Sequence, residues 1–176
     1  AGQLKNLGYF NICLDAIAGG RSIDSGTPGK SIYDDFLRML TFTRPKFVIW
    51  TLGMNGGDSM NVNFLPTLIE KCEAENIELI LYITPNVPEY NHDTLNAYIK
   101  SLNIRYIDGY DAVGANTQGE WYGHGTANDF LSSDDIHPSS IGAKALAMRF
   151  IIDVPEIVQY GYTTGAVDGE IDGDEH

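Results

Sequence analysis

Phe47-Val48-Ile49-Trp50-Thr51-Leu52 is a continuously apolar run, with Pro45 shortly before it and Gly53 directly after it. A strand with one wet face alternates apolar and polar residues. A run without alternation reads as a strand covered on both faces, as parallel strands of α/β proteins are. Ile77 to Ile83 repeats the pattern, Ile104 to Ile107 is a shorter version, and Tyr9 to Leu14 an earlier one. Between these runs the period changes to that of a helix. Ser31 to Phe42 carries Ile32, Phe36, Leu37 and Leu40 on one face, and Phe64 to Asn76 turns Leu65, Leu68, Ile69 and Cys72 inward. Asn91 to Leu102 and Ile141 to Asp153 complete the set, residues 1–7 read as the last turns of a helix stopped by Gly8, and residues 108–139 read mostly as loop. Strands alternating with helices imply an α/β fold on a parallel sheet.

The 176 residues suffice for one domain with a real core, and no linker or internal repeat divides them. The net charge of −13 argues against binding a nucleic-acid backbone, which needs clustered Lys and Arg. Part of that charge is local: Asp168, Glu170, Asp172, Asp174 and Glu175 crowd the end of the chain. Residues 161–176 therefore read as a solvated, flexible tail, with cation binding as the less favoured reading. No apolar run approaches the roughly 20 residues of a membrane span. The two cysteines, Cys13 in a strand-like run and Cys72 on an inward helix face, read as buried free thiols. His92, His124 and His176 are scattered without metal-ligand spacing and do not make a zinc site.

Three loops carry chemistry. Asp134-Asp135-Ile136-His137 places a carboxylate three residues ahead of an imidazole, directly before Pro138 and a helix. A histidine acting as general base needs one tautomer fixed by an acceptor on its other nitrogen. The same pair also fits a surface loop in which Asp134 caps the helix. With 15 aspartates and 4 histidines, such a spacing arises by chance in about a third of chains of this makeup. Pro138 stiffens the chain, Ser139 or Ser140 can cap the helix, and Gly142 permits close packing. Gly53-Met54-Asn55 ends a strand, where the Asn55 carboxamide is either an oxyanion donor or part of an Asn-Gly turn. Gly19-Gly20 offers a backbone N–H at close range, or only a tight exit from the Tyr9 strand. In an open α/β sheet, ligands bind at the carboxyl ends of the strands, where these loops lie. His92 reads as a helix cap, His124 as incidental, and Trp50 as core. Trp121 and Tyr122 lie in a loop and are better placed to line a pocket.

Together these residues resemble the SGNH (GDSL-like) hydrolase family. Its glycine block is similar to Ala16-Ile17-Ala18-Gly19-Gly20-Arg21-Ser22, its Gly-x-Asn block to Gly53-Met54-Asn55, and its Asp-x-x-His block to Asp134 to His137. Order and spacing fit over most of residues 9–152. Members usually have Asp directly after the Asn; here Gly56 and Gly57 precede Asp58. The Gly-Asp-Ser block is missing, and Ser22, Ser25 and Ser59 do not stand in a strand-turn-helix setting that would replace it.

The resemblance implies a three-layer α/β/α sandwich of flavodoxin-like type over residues 1–160, with its first strand and nucleophilic Ser upstream of Ala1 or on a second chain. It implies a serine esterase acting on small acyl esters, O-acetyl groups on carbohydrate foremost, a chemistry that calls for no metal or cofactor. His137 and Asp134 would be catalytic, Gly19 and Asn55 the oxyanion hole, and Trp121 and Tyr122 a substrate pocket. A secreted, cell-envelope or virion-associated setting is favoured. The alternative is a non-catalytic carbohydrate-binding or structural module that keeps the fold.

Overall fold

A computed structural model describes residues 21–23, 31–51, 55–87, 90–109, 131 and 136–156. The expected helix over 1–7, the strand over 9–14, Cys13 and the acidic tail lie outside the described residues. In chain order the described elements are α1 (Ile32–Met39), β1 (Phe47–Trp50), α2 (Gly57–Ala74), β2 (Glu78–Ile83), α3 (Asp93–Ser101), β3 (Tyr106–Asp108) and α4 (Ser140–Asp153). The strands form a parallel sheet in the order β1-β2-β3. Phe47 pairs with Glu78 and Trp50 with Leu81; Leu81 then pairs with Tyr106 and Ile83 with Asp108.

Successive side chains of a strand point to opposite faces, and the core divides accordingly. Val48, Trp50, Leu79, Leu81 and Ile83 join a cluster with Phe36 of α1 and Leu40 just after it, Phe64, Leu65, Leu68 and Cys72 of α2, and Leu95 and Ile99 of α3. Phe47, Ile49, Ile80, Tyr82 and Ile107 face the other way, onto Leu146 and Phe150 of α4 and onto Val154. The protein is thus α/β, with helices on both faces of its sheet. Leu68, Ile80 and Ile83 have no exposed surface, and each such burial contributes about 1.5–3 kcal/mol. The first cluster is strongly aromatic: Trp50 lies between Phe36 (6.1 Å) and Phe64 (5.7 Å).

Several boundaries differ from the sequence expectation. Helix α2 begins at Gly57 rather than Phe64, and so runs through Pro66. A helix starting at Phe64 would place that proline in the first turn, where no N–H is missed. Helix α1 ends at Met39, three residues before Phe42, where Thr41, Phe42 and Thr43 close a turn on the carbonyls of Arg38 and Met39. Strand β3 is shifted to Tyr106–Asp108. Strand β1 is not covered throughout: Phe47, Val48 and Ile49 are half-buried, because β1 is an edge of the described sheet while β2 is central.

Helix α4 is fastened at its C-terminal end. Asp153 Oδ2 accepts from the Asp108 N–H (3.0 Å) and from Arg149 Nε (2.6 Å). Arg105, just before β3, donates through Nε and Nη2 to the Asp153 carbonyl and pairs with Glu156 at 2.9 Å. A cation on the last carbonyls of a helix satisfies orphan acceptors and opposes the dipole. Asp153 is thus tied to both ends of β3, to Arg105 just before it and to Asp108 at its close. No described helix is long and apolar enough to cross a membrane.

Candidate functional site

The carboxyl ends of the strands form the rim from which the helices restart. Asn55 is exposed there, in the turn between β1 and α2. The next two residues, Gly56 (φ 92°) and Gly57 (φ 70°), are both left-handed. Side chains other than glycine adopt that conformation at a cost. The glycine pair that separates Asn55 from the following Asp is therefore required by the turn.

Asp58, in the first turn of α2, does more than favour that helix's dipole. Its Oδ2 accepts from the Leu95 N–H of α3 at 2.8 Å, and its Oδ1 lies 3.0 Å from His92 Nδ1. His92 occupies the N-cap position of α3 but makes no side-chain cap bond, contrary to its expected capping role. The orphan N–H is satisfied by a carboxylate from the neighbouring helix instead. Because the carboxylate accepts, Nδ1 carries the ring proton. His92 is 2% exposed, and among the described residues its Nε2 has no hydrogen-bond partner.

A polar lattice surrounds this pair. Asn86 Oδ1 accepts from the His92 N–H (2.7 Å), and its amide donates to Asp93 (3.0 Å). Asn96, one turn beyond His92, clasps the end of β2: its Oδ1 accepts from the Thr84 N–H (3.1 Å) and its Nδ2 donates to the Thr84 carbonyl (2.7 Å). On α2, buried Asn61 accepts from the Ser22 hydroxyl at 2.5 Å. Ser22 is thus an internal tie, fully buried, and not a presented hydroxyl.

His137 is exposed in the connection that enters α4. Leu131 and Pro138 form an antiparallel bridge immediately beside it. Ser139 is the cap, its hydroxyl accepting from the Gly142 N–H at 3.2 Å, and Gly142 is buried as close packing requires. The imidazole therefore stands between a bridged proline and a capped helix start. Asn55 precedes the N-terminus of a helix on one face of the sheet, and His137 that of a helix on the other. Asp134, Gly19, Trp121 and Tyr122 lie outside the described residues, as do Gly53 and Met54.

Among the described residues no group of three or more His, Cys, Asp or Glu is arranged to hold a metal ion. Cys72 is buried, free and pushed up to about 11 by that burial, which keeps it a neutral thiol. No family model matches the chain, and comparison with curated proteins and with solved structures finds no match.

Asp58, Asn61 and Asn96 are residues that sequence reasoning passed over, and His92 is one that it read as a cap. A usable signal existed for two of them. Asn61 shares a helical face with Leu65 and Leu68, and Asn96 lies beside Leu95 and Ile99. A carboxamide on an apolar stripe must find a buried partner.

Proposed function

We propose that this chain carries the acid–base and oxyanion elements of a serine esterase of the SGNH type, acting on small acyl esters. What supports the reading is the local setting of two groups: the exposed Asn55 on its double-glycine turn after β1 and the exposed His137 beside a bridged proline at the entrance to α4. The motif order supports it, as does a sheet with helices on both faces.

In this reading a serine from an upstream segment or a second chain attacks the ester carbonyl. His137 takes the serine proton through one ring nitrogen and returns it to the leaving alkoxide; Asp134 holds the other nitrogen in its protonated form. The C–O bond to the alcohol breaks as the tetrahedral intermediate collapses. Water then repeats the sequence on the acyl-enzyme and releases the acid. Asn55 and the Gly19 N–H stabilise the oxyanion, which forms only at the transition state, so their loss acts on kcat rather than KM.

The test is hydrolysis of 4-nitrophenyl acetate by the polypeptide that includes the nucleophile. His137→Ala should reduce turnover to near background, and Asn55→Ala should lower kcat about 10²–10³-fold with KM little changed. Turnover unaffected by His137→Ala removes the base assignment. Absence of hydrolysis in the intact protein favours the non-catalytic module.

A further inference from the structure

Asn55-Gly56 is the single Asn-Gly pair in the sequence. The main-chain nitrogen that follows an asparagine is a nucleophile toward the side-chain carbonyl carbon. Glycine hinders that attack least, because it places no Cβ beside the nitrogen. In a folded chain two further conditions apply: the carboxamide is exposed, and the attacking N–H is not held in a hydrogen bond. The described asparagines meet them unequally. Asn55 is exposed, and the Gly56 N–H has no acceptor among the described residues. It lies ahead of α2, outside the helical ladder. After Asn76, Asn86 and Asn91 the N–H is engaged: Ile77 donates to the Cys72 carbonyl (2.9 Å), Val87 to the Tyr90 carbonyl (3.1 Å) and His92 to Asn86 Oδ1 (2.7 Å). Asn61, Asn63 and Asn96 lie inside helices, where the ladder holds the next N–H. Asn103 is exposed, but the β-branched Ile104 follows it. The turn also resists losing its glycine, since at φ 92° a Cβ on Gly56 would stand 2.6 Å from Met60 Sδ.

We infer that Asn55 is a site of spontaneous deamidation, and that the modified chain keeps its fold. A base from solvent takes the Gly56 proton, and the nitrogen attacks Asn55 Cγ. The amide nitrogen is protonated, the Cγ–Nδ2 bond breaks, and ammonia leaves a five-membered succinimide. Water opens that ring at Cγ to give aspartate, or at the main-chain carbonyl to give isoaspartate. No oxidant or reductant takes part. Ring closure rotates Asn55 about its own bonds, upstream of Asp58, which stays tied to Leu95 and His92. The new carboxylate stands just before the N-terminus of α2, where negative charge is favourable. On the esterase reading the change is an inactivation, because a carboxamide donor becomes an acceptor with the oxyanion's own charge. The modification itself does not depend on that reading.

Mass spectrometry of the intact chain, aged in mildly alkaline buffer made with ¹⁸O-labelled water, tests it. Trypsin releases residues 47–71 as one peptide, and fragmentation localises the change within it. The expected result is conversion at Asn55 more than about tenfold faster than at Asn61, Asn63 or Asn103, with uptake of ¹⁸O and with both aspartate and isoaspartate formed. The rate in the folded chain should lie within about tenfold of the rate in urea, because the fold leaves this amide open. Asn55→Asp should leave the urea midpoint unchanged or raised. Asn55 remaining intact while Asn103 converts overturns the inference, as does conversion of Asn55 in urea alone. A clear drop in the Asn55→Asp midpoint overturns its second half. In the polypeptide that includes the nucleophile, acetyl-ester turnover should fall in step with conversion. Full conversion with turnover unchanged upholds the modification and counts against Asn55 as an oxyanion donor.

Discussion

Asp58→Asn isolates what one carboxylate does for the rim, because it changes hydrogen-bonding capacity with almost no change in volume. The site needs two acceptors: one for the Leu95 N–H at 2.8 Å and one for His92 Nδ1 at 3.0 Å. A carboxamide has one acceptor oxygen. If that oxygen stays on Leu95, the new NH₂ faces Nδ1, and the ring must change tautomer to accept from it. The proton then moves to Nε2, which is buried without a partner among the described residues. An unsatisfied buried donor costs about 1–3 kcal/mol. If the oxygen turns to His92, the NH₂ meets the Leu95 N–H donor to donor, at a similar cost. The negative charge near two helix N-termini is lost in either case, adding about 0.3–1 kcal/mol at each. The expected destabilisation is therefore about 2–5 kcal/mol, a large part of the 5–15 kcal/mol of a typical domain. Urea unfolding of the intact chain, followed by far-UV circular dichroism, measures it. The amide exchange of Leu95 should accelerate alongside. His92→Asn, whose amide can stand in for Nδ1–H, should cost less than His92→Ala. An Asp58→Asn midpoint within about 0.5 kcal/mol of the native chain would show that the carboxylate is not holding both donors.

Gly57→Ala should cost about 1–2 kcal/mol through backbone strain alone, since an added Cβ meets nothing within 4 Å at φ 70°; Gly57→Asn should recover part of it, and the same urea titration reads both. Cys72, its thiol held neutral by burial, should alkylate at pH 8 only as fast as the protein opens, so peptide-level labelling of Cys72 should track the unfolding equilibrium. The Arg105 guanidinium, through its hydrogen bonds, holds the Glu156 carboxyl below its ordinary value. Such a depressed group contributes stability that is complete above the ordinary carboxylate value and is lost as pH falls through the depressed one. The pair is partly exposed and screened, so Glu156→Gln should cost under about 1 kcal/mol and less in high salt. Arg105→Gln should cost more at any pH, because the Asp153 carbonyl also loses its cap.

The alternation of apolar strands and amphipathic helices was legible because burial on both faces of a parallel strand removes the period-2 signal, and the helices keep theirs. Leu65, Leu68, Cys72 and Trp50 are buried as their spacing implies. The early start of α2 was not legible. Pro66 is a strong local signal to begin a helix nearby, and it was overridden by two left-handed glycines and an inter-helix hydrogen bond. Propensity reads neighbours along the chain, whereas Asp58 and Leu95 are 37 residues apart. His92 was misassigned for the same reason. Its place before Asp93 is that of a cap, and only the folded chain brings Asp58 to its ring. Of the expected site, Asn55 and His137 are exposed on loops that enter helices, the setting their sequence neighbours suggested, while the convergence of the other groups on them falls outside the described residues.

The lattice around Asp58 links these two levels. Asn55 and Asp58 are separated only by Gly56 and Gly57, residues whose left-handed conformations leave the turn few alternatives. Asp58 is fixed in turn to α3, and α3 is fixed to the end of β2 through Asn96 and Thr84. The carboxamide of Asn55 is thus carried on a short turn whose far end is anchored to two elements behind the rim. An oxyanion donor must be in position before charge develops, since reorganisation at the transition state forfeits its benefit. On the esterase reading, Asp58 and His92 are positioning residues for Asn55. Asp58→Asn should then lower kcat toward acetyl esters while leaving KM nearly unchanged, and His92→Asn should restore more of it than His92→Ala. A loss of stability with kcat intact would separate the turn from the chemistry and leave the lattice a purely structural role.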